Sequence, residues 1–199
     1  MSVRASLPVW ISLLVATFVL SACASAGPPR AQGDVCEIFY QRPAWREATE
    51  RSAKKWGAPI SVQMAIMKQE SSFRADARPP RKYLLGMVPW GRVSSAYGYS
   101  QALDGTWAWY KKDTGRWIAS RSDFDDAADF VGWYMSKSRE MLGLSMGDAV
   151  SQYLAYHEGQ GGYRRGTYRK KRWLIGVARK VGATASAYRS QLSRCGGDF

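Results

Sequence analysis

Histidine and cysteine are scarce in this chain, which has one histidine, His157, and three cysteines. A single histidine excludes a metal site built from several histidine ligands. Two of the cysteines, Cys36 and Cys195, lie at opposite ends of the chain after Cys23, which is not the spacing of a zinc site. The sequence therefore predicts neither a metal nor any other cofactor.

Long apolar stretches are also absent, apart from the run from Leu7 to Leu20 near the start. The run follows Arg4 and is shorter than the roughly 20 residues that a membrane-spanning helix needs, so it is typical of a secretory signal. Its end, Leu20-Ser21-Ala22-Cys23, resembles a bacterial lipobox, which implies cleavage before Cys23 and lipidation of its sulfur. The alternative is an ordinary signal peptide that is cut near Ala22 or Ala26.

The lipobox interpretation divides the chain into three parts. Residues 1–22 are the predicted lipoprotein signal peptide, residues 23–35 a lipidated tether with two prolines, and residues 36–199 a single domain. Ala24, in place of aspartate, resembles the signal for outer-membrane sorting in a diderm bacterium, which places the domain in the periplasm. In that oxidising compartment Cys36 and Cys195 are predicted to form a disulfide, with two free thiols as the alternative.

Negative charge is in short supply, because 16 acidic residues face 29 basic ones and the formal net charge is +13. A basic exported protein is attracted to polyanions, here anionic lipid and the carboxylate-rich cell wall, whereas nucleic acid is not an expected partner. The densest basic run extends from Arg164 to Arg172. It is either part of a binding surface or a solvated helix face.

No alternating apolar pattern is long enough to predict a strand firmly, so the predicted fold class is mainly α, either all-α or with a minor hairpin. Residues 76–96 contain prolines and glycines and are predicted to form a long loop, in which 78–94 resembles an insertion. Capping boxes are predicted at Ser122 and Ser145. The predicted helices cover about 45–56, 59–72, 106–114, 122–142, 145–156, 170–181 and 184–194.

Glu70 is the candidate catalytic residue. It follows Ile66 by four residues and precedes Phe73 by three, so it shares a helix face with apolar side chains. Loss of hydration raises the pKa of a carboxyl group, and a protonated carboxyl near neutral pH can donate its proton to a glycosidic oxygen. The helix pattern alone leaves an alternative open, in which the Glu70 side chain turns to solvent or pairs with Arg74.

Four segments in a fixed order carry a family resemblance. They are Gln69-Glu70-Ser71-Ser72-Phe73, Gly98-Tyr99-Ser100-Gln101, the predicted helix over 123–135, and Ala155-Tyr156-His157-Glu158-Gly159. Together they resemble the goose-lysozyme-like lytic transglycosylases with the soluble-type (SLT) catalytic domain, over about residues 45–175. The resemblance implies a lysozyme-like helical domain that cleaves the MurNAc-GlcNAc β-1,4 bond of peptidoglycan and forms 1,6-anhydro-MurNAc.

The same resemblance implies roles for single residues. Glu70 is the sole acid and base: it protonates the leaving oxygen and then takes the proton of the muramoyl C6 hydroxyl, which attacks C1. Tyr156 brings its hydroxyl near Glu70, unless it is a core tyrosine. The implied substrate-binding residues are Ser71, Gly98, Gln101, His157 and Glu158; a helix-capping role remains open for Ser71. Tyr97 and Tyr99 are candidates to stack on sugar faces because they are aromatic, and packing in the core is the default alternative for both.

The chain departs from the family pattern at two of these segments. Tyr99-Ser100 replaces Leu-Met, which predicts a more polar cleft wall, and His157 replaces asparagine. Two other functions remain open: a hydrolytic muramidase, which needs a second carboxylate to place water, and a non-catalytic cell-wall-binding scaffold. Proteins of the cell-wall or secretion machinery are possible partners besides peptidoglycan.

Overall fold

The computed structural model describes residues 27–84 and 87–196, which form a mainly helical domain, as the sequence predicted. Residues 1–22 and Cys23, to which the signal peptide and the lipid were assigned, lie outside the described residues. No helix within the described ranges is long and apolar enough to cross a membrane. The elements are α1 (Val35–Gln41), α2 (Pro43–Trp56), α3 (Ile60–Ser71), β1 (Arg81–Leu84), β2 (Val88–Arg92), α4 (Asp104–Thr114), α5 (Phe124–Leu142), α6 (Ala149–Arg165), a 3₁₀ helix (Thr167–Lys170) and α7 (Arg172–Cys195).

Helix α3 lies in the middle of the domain and packs against α2, α5 and α7. Every residue from Ile60 to Met67 is buried, including Ser61 and Gln63, so the helix is enclosed on all sides rather than amphipathic. The Gln63 amide nitrogen donates to the carbonyl oxygens of Thr49 and Ala58, which satisfies the donor side of this buried amide. A helix held this firmly fixes the position of Glu70 near its end.

Aromatic side chains form much of the core around α3. The Trp45 and Phe124 rings stack with centroids 4.0 Å apart, and Tyr99 meets both edge-on. Such offset and edge-to-face pairs add roughly 0.5–1.5 kcal/mol each beyond the burial of their area. The pairs join α2 and α5 to the turn at Gly98–Gln101, which lines the candidate site.

Two predicted helix caps are wrong by one and three residues. Asp123, not Ser122, caps α5, because its carboxylate accepts a hydrogen bond from the Asp126 amide at 3.1 Å. Asp148, not Ser145, caps α6 through the Ser151 amide at 3.0 Å. In both cases a serine and an aspartate compete, and the residue whose side chain reaches a free amide of the first turn becomes the cap.

The C-terminal helices are longer than predicted. The helix expected to end near Tyr156 continues as α6 to Arg165, with a kink at Gly159, where φ is 72° and ψ is 157°. The predicted helices over 170–181 and 184–194 are one helix, α7. Gly182 does not break it: a Cβ there would lie 2.7 Å from Val150 Cγ2, so this glycine allows α6 and α7 to pack closely.

The predicted long loop contains an antiparallel hairpin instead, formed by β1 and β2. Arg81 pairs with Arg92, and Leu84 pairs with Val88, with an irregularity between them. Pro89 argued against a strand, but each strand of a two-stranded sheet is an edge strand, where proline is tolerated. The hairpin is the minor β element that the sequence left open.

A disulfide joins Cys36 in α1 to Cys195 at the end of α7, as predicted. The segment before α1 also contacts α7 and the end of α3. The Gln32 side chain donates to the Ser72 carbonyl oxygen, and Tyr188 donates to the Gln32 carbonyl oxygen. The predicted tether is therefore attached to the domain along the part that the structure describes, Gly27 to Asp34.

Candidate functional site

Glu70 lies at the end of α3, where the helix gives way to a left-handed turn. Ser72 and Phe73 have φ of 51° and 58°, values that residues other than glycine rarely adopt. The turn is held in place because Phe73 is buried against Trp45. It directs the chain away from α3 and leaves Glu70 on the wall of a cavity.

Two adjoining cavities form the candidate cleft. The first has a volume of about 370 Å³ and is lined by Glu70, Pro79, Ser94, Ala96, Gln101, Leu103, Tyr156 and His157. The second, of about 190 Å³, shares four of these residues and adds Glu158 and Gly159. Among the described residues that line the first cavity, Glu70 is the only carboxylate.

Burial raises the pKa of Glu70 from its usual 4.5 to about 7, and a hydrogen bond from Tyr153 opposes this rise. The charged carboxylate loses hydration among buried side chains, and one hydroxyl donor does not replace the lost water. Close to neutral pH the carboxyl is therefore divided between its acid and its base form. This is the property required of a group that first donates and then accepts a proton.

Glu70→Gln is expected to stabilise the protein at alkaline pH. Between pH 4.5 and about 7 the folded protein binds more protons at Glu70 than the unfolded chain does, so stability falls as the pH rises through this window. At a pH above this window, the buried charge of Glu70 lowers the free energy of unfolding by about 3 kcal/mol. An uncharged amide at this position removes that loss. In urea denaturation near pH 4 and pH 8.5, the advantage of the variant should be larger at the higher pH. An equal advantage at both would show that the Glu70 pKa is not raised.

Tyr153, which the sequence analysis did not single out, donates a hydrogen bond to the Glu70 carboxyl. The tyrosine is buried in α6, and burial followed by the nearby Glu70 charge raises its pKa, so the hydroxyl keeps its proton. A signal for it was present, since Tyr153 precedes Tyr156 by three residues and helical residues at this spacing share a face. The family resemblance directed attention to Tyr156 alone.

Tyr156 lines both cavities, but its hydroxyl donates to the Ser100 carbonyl oxygen at 2.5 Å. Burial, and then the Glu70 charge, raises the pKa of Tyr156 well above its usual value. The tyrosine is thus close enough to respond to Glu70 while it bonds to the turn opposite. It ties α6 to the segment that holds Gln101.

The Gly98–Gln101 turn requires its glycine. Gly98 has φ of 75°, and a Cβ there would lie 1.9 Å from the Arg121 carbonyl oxygen. The Gln101 amide nitrogen donates to the carbonyl oxygens of Ala77 and Gly98, both at 2.8 Å. These bonds orient the side chain in the cleft, and its carbonyl oxygen has no hydrogen-bond donor in the described part of the chain.

Four residues predicted to bind substrate do not line the cleft: Gly98, whose role in the turn is described above, and Ser71, Tyr99 and Tyr97. Ser71 is buried and its hydroxyl donates to the Met67 carbonyl oxygen, so it supports the end of α3. Tyr99 is 7% exposed in the aromatic core, because its ring packs edge-on against both rings of the stacked Trp45–Phe124 pair. Tyr97 is half-buried and lies under the Arg78 guanidinium, 4.1 Å from the ring centroid.

His157 and Glu158 differ in what they present to the cleft. The His157 ring is partly exposed and lines both cavities, with Nδ1 3.1 Å from Glu158 Oε1. Burial alone would raise the pKa of Glu158, but hydrogen bonds from Lys171, at 2.6 Å, and from Thr167 lower it to about 2. Glu158 is therefore a fixed anion that holds the 3₁₀ helix against α6, and it is unsuited to proton transfer.

One group of acidic residues, Asp123, Asp125 and Asp126, has carboxylates close enough together to hold a cation. Each already has a role, because Asp123 caps α5 and the other two form ion pairs with Arg116. Arg51 also reaches Asp125 at 2.5 Å. The cluster is thus an ion-paired helix terminus.

The segment from Gly143 to Gly147 matches the Gly-x-Ser-x-Gly pattern of serine hydrolases. That pattern acts where a strand turns sharply into a helix. Here it connects α5 to α6, and the Ser145 hydroxyl accepts a hydrogen bond from the Gly147 amide. Ser145 therefore lacks the setting of a nucleophile.

The comparison with protein families covers nearly the whole chain. Residues 11–195 match the family model described as the transglycosylase SLT domain. A search of curated proteins finds no significant match to the chain.

Proposed function

Since the chain belongs to the transglycosylase SLT domain family, we propose that it is a peptidoglycan lytic transglycosylase with Glu70 as its single general acid and base. Family membership itself supports an enzyme that acts on peptidoglycan. The residue roles and the reaction product are the further content of the proposal.

In the proposed reaction one carboxyl group serves two steps. Protonated Glu70 gives its proton to the oxygen between MurNAc and GlcNAc, and the C1–O bond breaks with its electrons moving to that oxygen. The Glu70 carboxylate then accepts the proton of the MurNAc C6 hydroxyl. At the same time the C6 oxygen bonds to C1, which closes the 1,6-anhydro ring. Glu70 ends protonated, ready for another strand.

The observation that carries this proposal is the Glu70 pKa of about 7 beside a cavity with no second carboxylate among its described lining residues. A hydrolase that inverts configuration needs another carboxylate, at about 6.5–9.5 Å, to activate water. Glu158, in the adjoining cavity, is committed to Lys171 and Thr167. The C6 hydroxyl, which the substrate itself supplies, needs no such partner.

Product analysis distinguishes the two reactions. Purified sacculi digested with the protein are expected to release fragments that end in 1,6-anhydro-MurNAc, which weigh one water less than hydrolytic products in mass spectrometry. Reducing ends in their place would identify a muramidase. Intact sacculi would favour a non-catalytic scaffold.

Tyr153→Phe is expected to move the alkaline limb of the pH–rate profile upward. The Tyr153 hydrogen bond lowers the pKa of Glu70, so its loss lets that pKa rise and the acid form persists to higher pH. The maximal rate should fall about three- to a hundredfold, because the hydroxyl also positions the carboxyl group.

Tyr156→Phe is the matched control, since it removes the same atom from the next turn of α6. Its hydroxyl bonds to Ser100 rather than to Glu70, so the main expected effect is a lower melting temperature with a smaller shift of the pH profile. Equal shifts in the two variants would contradict the separate roles assigned to the two tyrosines.

We also propose that the protein is attached to the outer membrane through a lipid on Cys23. Cys23→Ser is expected to abolish metabolic labelling with a fatty acid and to move the protein from the membrane to the soluble fraction, or to leave the signal peptide uncleaved. Labelling and fractionation identical to those of the wild type would refute the anchor.

A further inference from the structure

An exposed tryptophan adjoins the cleft on the side of His157. Trp173, the second residue of α7, is 59% exposed, and its ring meets the His157 ring edge-on with centroids 5.3 Å apart. Single exposed aromatic residues are common and need no explanation. Trp173, however, continues the wall of the cleft, so a ligand that extends past His157 would contact its indole ring.

Cations without carboxylate partners flank this tryptophan. Arg169, Lys170 and Arg172 are exposed, and no salt bridge within the described residues includes them. Lys171, between them, is occupied by Glu158. We call Arg169, Lys170 and Arg172 the basic segment.

The three positive charges of the basic segment repel one another. Its charges are close in sequence, and the first turn of α7 has neither an acidic residue nor a side-chain cap that would offset them. A bound polyanion would relieve this repulsion. Solubility alone does not require charges of one sign, because a helix face with alternating positive and negative side chains is equally soluble.

We propose that Trp173 and the basic segment bind the stem peptide of peptidoglycan, through its carboxylates, while the glycan strand occupies the cleft. The inference rests on the proposed function and adds a substrate preference to it: peptide-bearing strands bind better than strands without peptides. The charges are complementary, because stem peptides carry free carboxylates and the segment carries only cations.

Continuity with the cleft favours the stem peptide over a lipid headgroup. The peptide is covalently attached to MurNAc, so its carboxylates are delivered to any surface beside the sugar-binding groove. Trp173 connects the basic segment to His157 and therefore to the cavity of Glu70. An anionic membrane has no comparable link to a strand held in the cleft.

The test measures binding to two soluble glycans in a Glu70→Gln background, which prevents cleavage. One glycan retains its stem peptides, and the other has lost them by amidase digestion. The variant Arg169→Gln/Lys170→Gln/Arg172→Gln is expected to bind the peptide-bearing strands about tenfold more weakly, since exposed ion pairs contribute modestly and here add over three sites. Its binding to the bare strands should change less than twofold, and raised salt should reduce the difference between the glycans.

The control variant Lys54→Gln/Lys112→Gln/Arg139→Gln removes the same charge from exposed positions on α2, α4 and α5. It should bind both glycans as the parent protein does. Equal weakening by the two triple variants, or equal weakening on both glycans, would overturn the proposal. Weaker binding only to phosphatidylglycerol vesicles, with glycan binding unchanged, would overturn it in favour of a membrane surface.

Cleavage assays with otherwise wild-type protein separate this inference from the proposed function. If sacculi remain uncut while the peptide-dependent difference in binding is present, the catalytic proposal fails and the binding surface stands. If anhydro products form but peptides make no difference to binding, the binding surface is rejected and the catalytic proposal stands.

Discussion

Glu70→Gln is expected to lower the rate of glycan cleavage by about 10²–10⁴-fold, the usual contribution of general acid–base catalysis. The amide can neither donate a proton to the glycosidic oxygen nor accept one from the C6 hydroxyl, so both proposed steps lose their catalyst. The side chain keeps its size, and the Tyr153 hydroxyl can still donate to the amide oxygen. Binding to sacculi should therefore persist. The loss is to be measured by the release of soluble fragments from sacculi at saturating substrate.

Glu158→Gln provides the matched comparison, because Glu158 is the other carboxylate among the described residues that line the two cavities. Its bonds to Lys171 and Thr167 indicate a structural role, so we expect a lower melting temperature and at least a tenth of wild-type turnover. A loss below tenfold in Glu70→Gln would remove Glu70 from catalysis. Equal large losses in both variants would point to a two-carboxylate mechanism and favour hydrolysis.

The raised pKa of Glu70 could be predicted from the sequence because the signal is local. A carboxylate at a helix position otherwise occupied by apolar residues already predicts a raised pKa, and the structure agrees, with burial as the main cause. The partner of that carboxylate could not be found in the same way. Whether Tyr153 or Tyr156 faces Glu70 depends on how α6 is rotated against α3, which is a tertiary property.

Tyr99 illustrates a second limit of sequence reasoning. A tyrosine beside a glycine-marked turn fits a sugar-binding wall as well as a core position, and the choice depends on Trp45 and Phe124, which are distant in sequence. The predictions of a helix end near Gly182 and of a loop at Pro89 fail for a related reason. Each residue has a poor local propensity for its element, and each is tolerated there because of a neighbour or an edge that local propensity does not include.

Removing the Cys36–Cys195 disulfide is expected to lower the free energy of unfolding by about 3–5 kcal/mol. The two cysteines are separated by 159 positions, so the bond restricts the unfolded chain over almost the whole domain. Chain entropy for a loop of this size gives about 5 kcal/mol at most, and residual structure in the unfolded state reduces it. Urea denaturation of the wild type and of Cys36→Ser/Cys195→Ser measures the difference.

The native helices should survive this change, because other contacts hold the same two ends together. Val35 and Ile38 are fully buried, and the Arg46 guanidinium donates to the Cys195 carbonyl oxygen at 2.6 Å. A reductant should therefore weaken the wild type to the stability of the double variant and leave the variant itself unchanged. Maleimide labelling of the denatured, unreduced wild type supplies the direct check. Two reactive thiols there would show that the disulfide does not form, and the two proteins should then unfold at the same urea concentration.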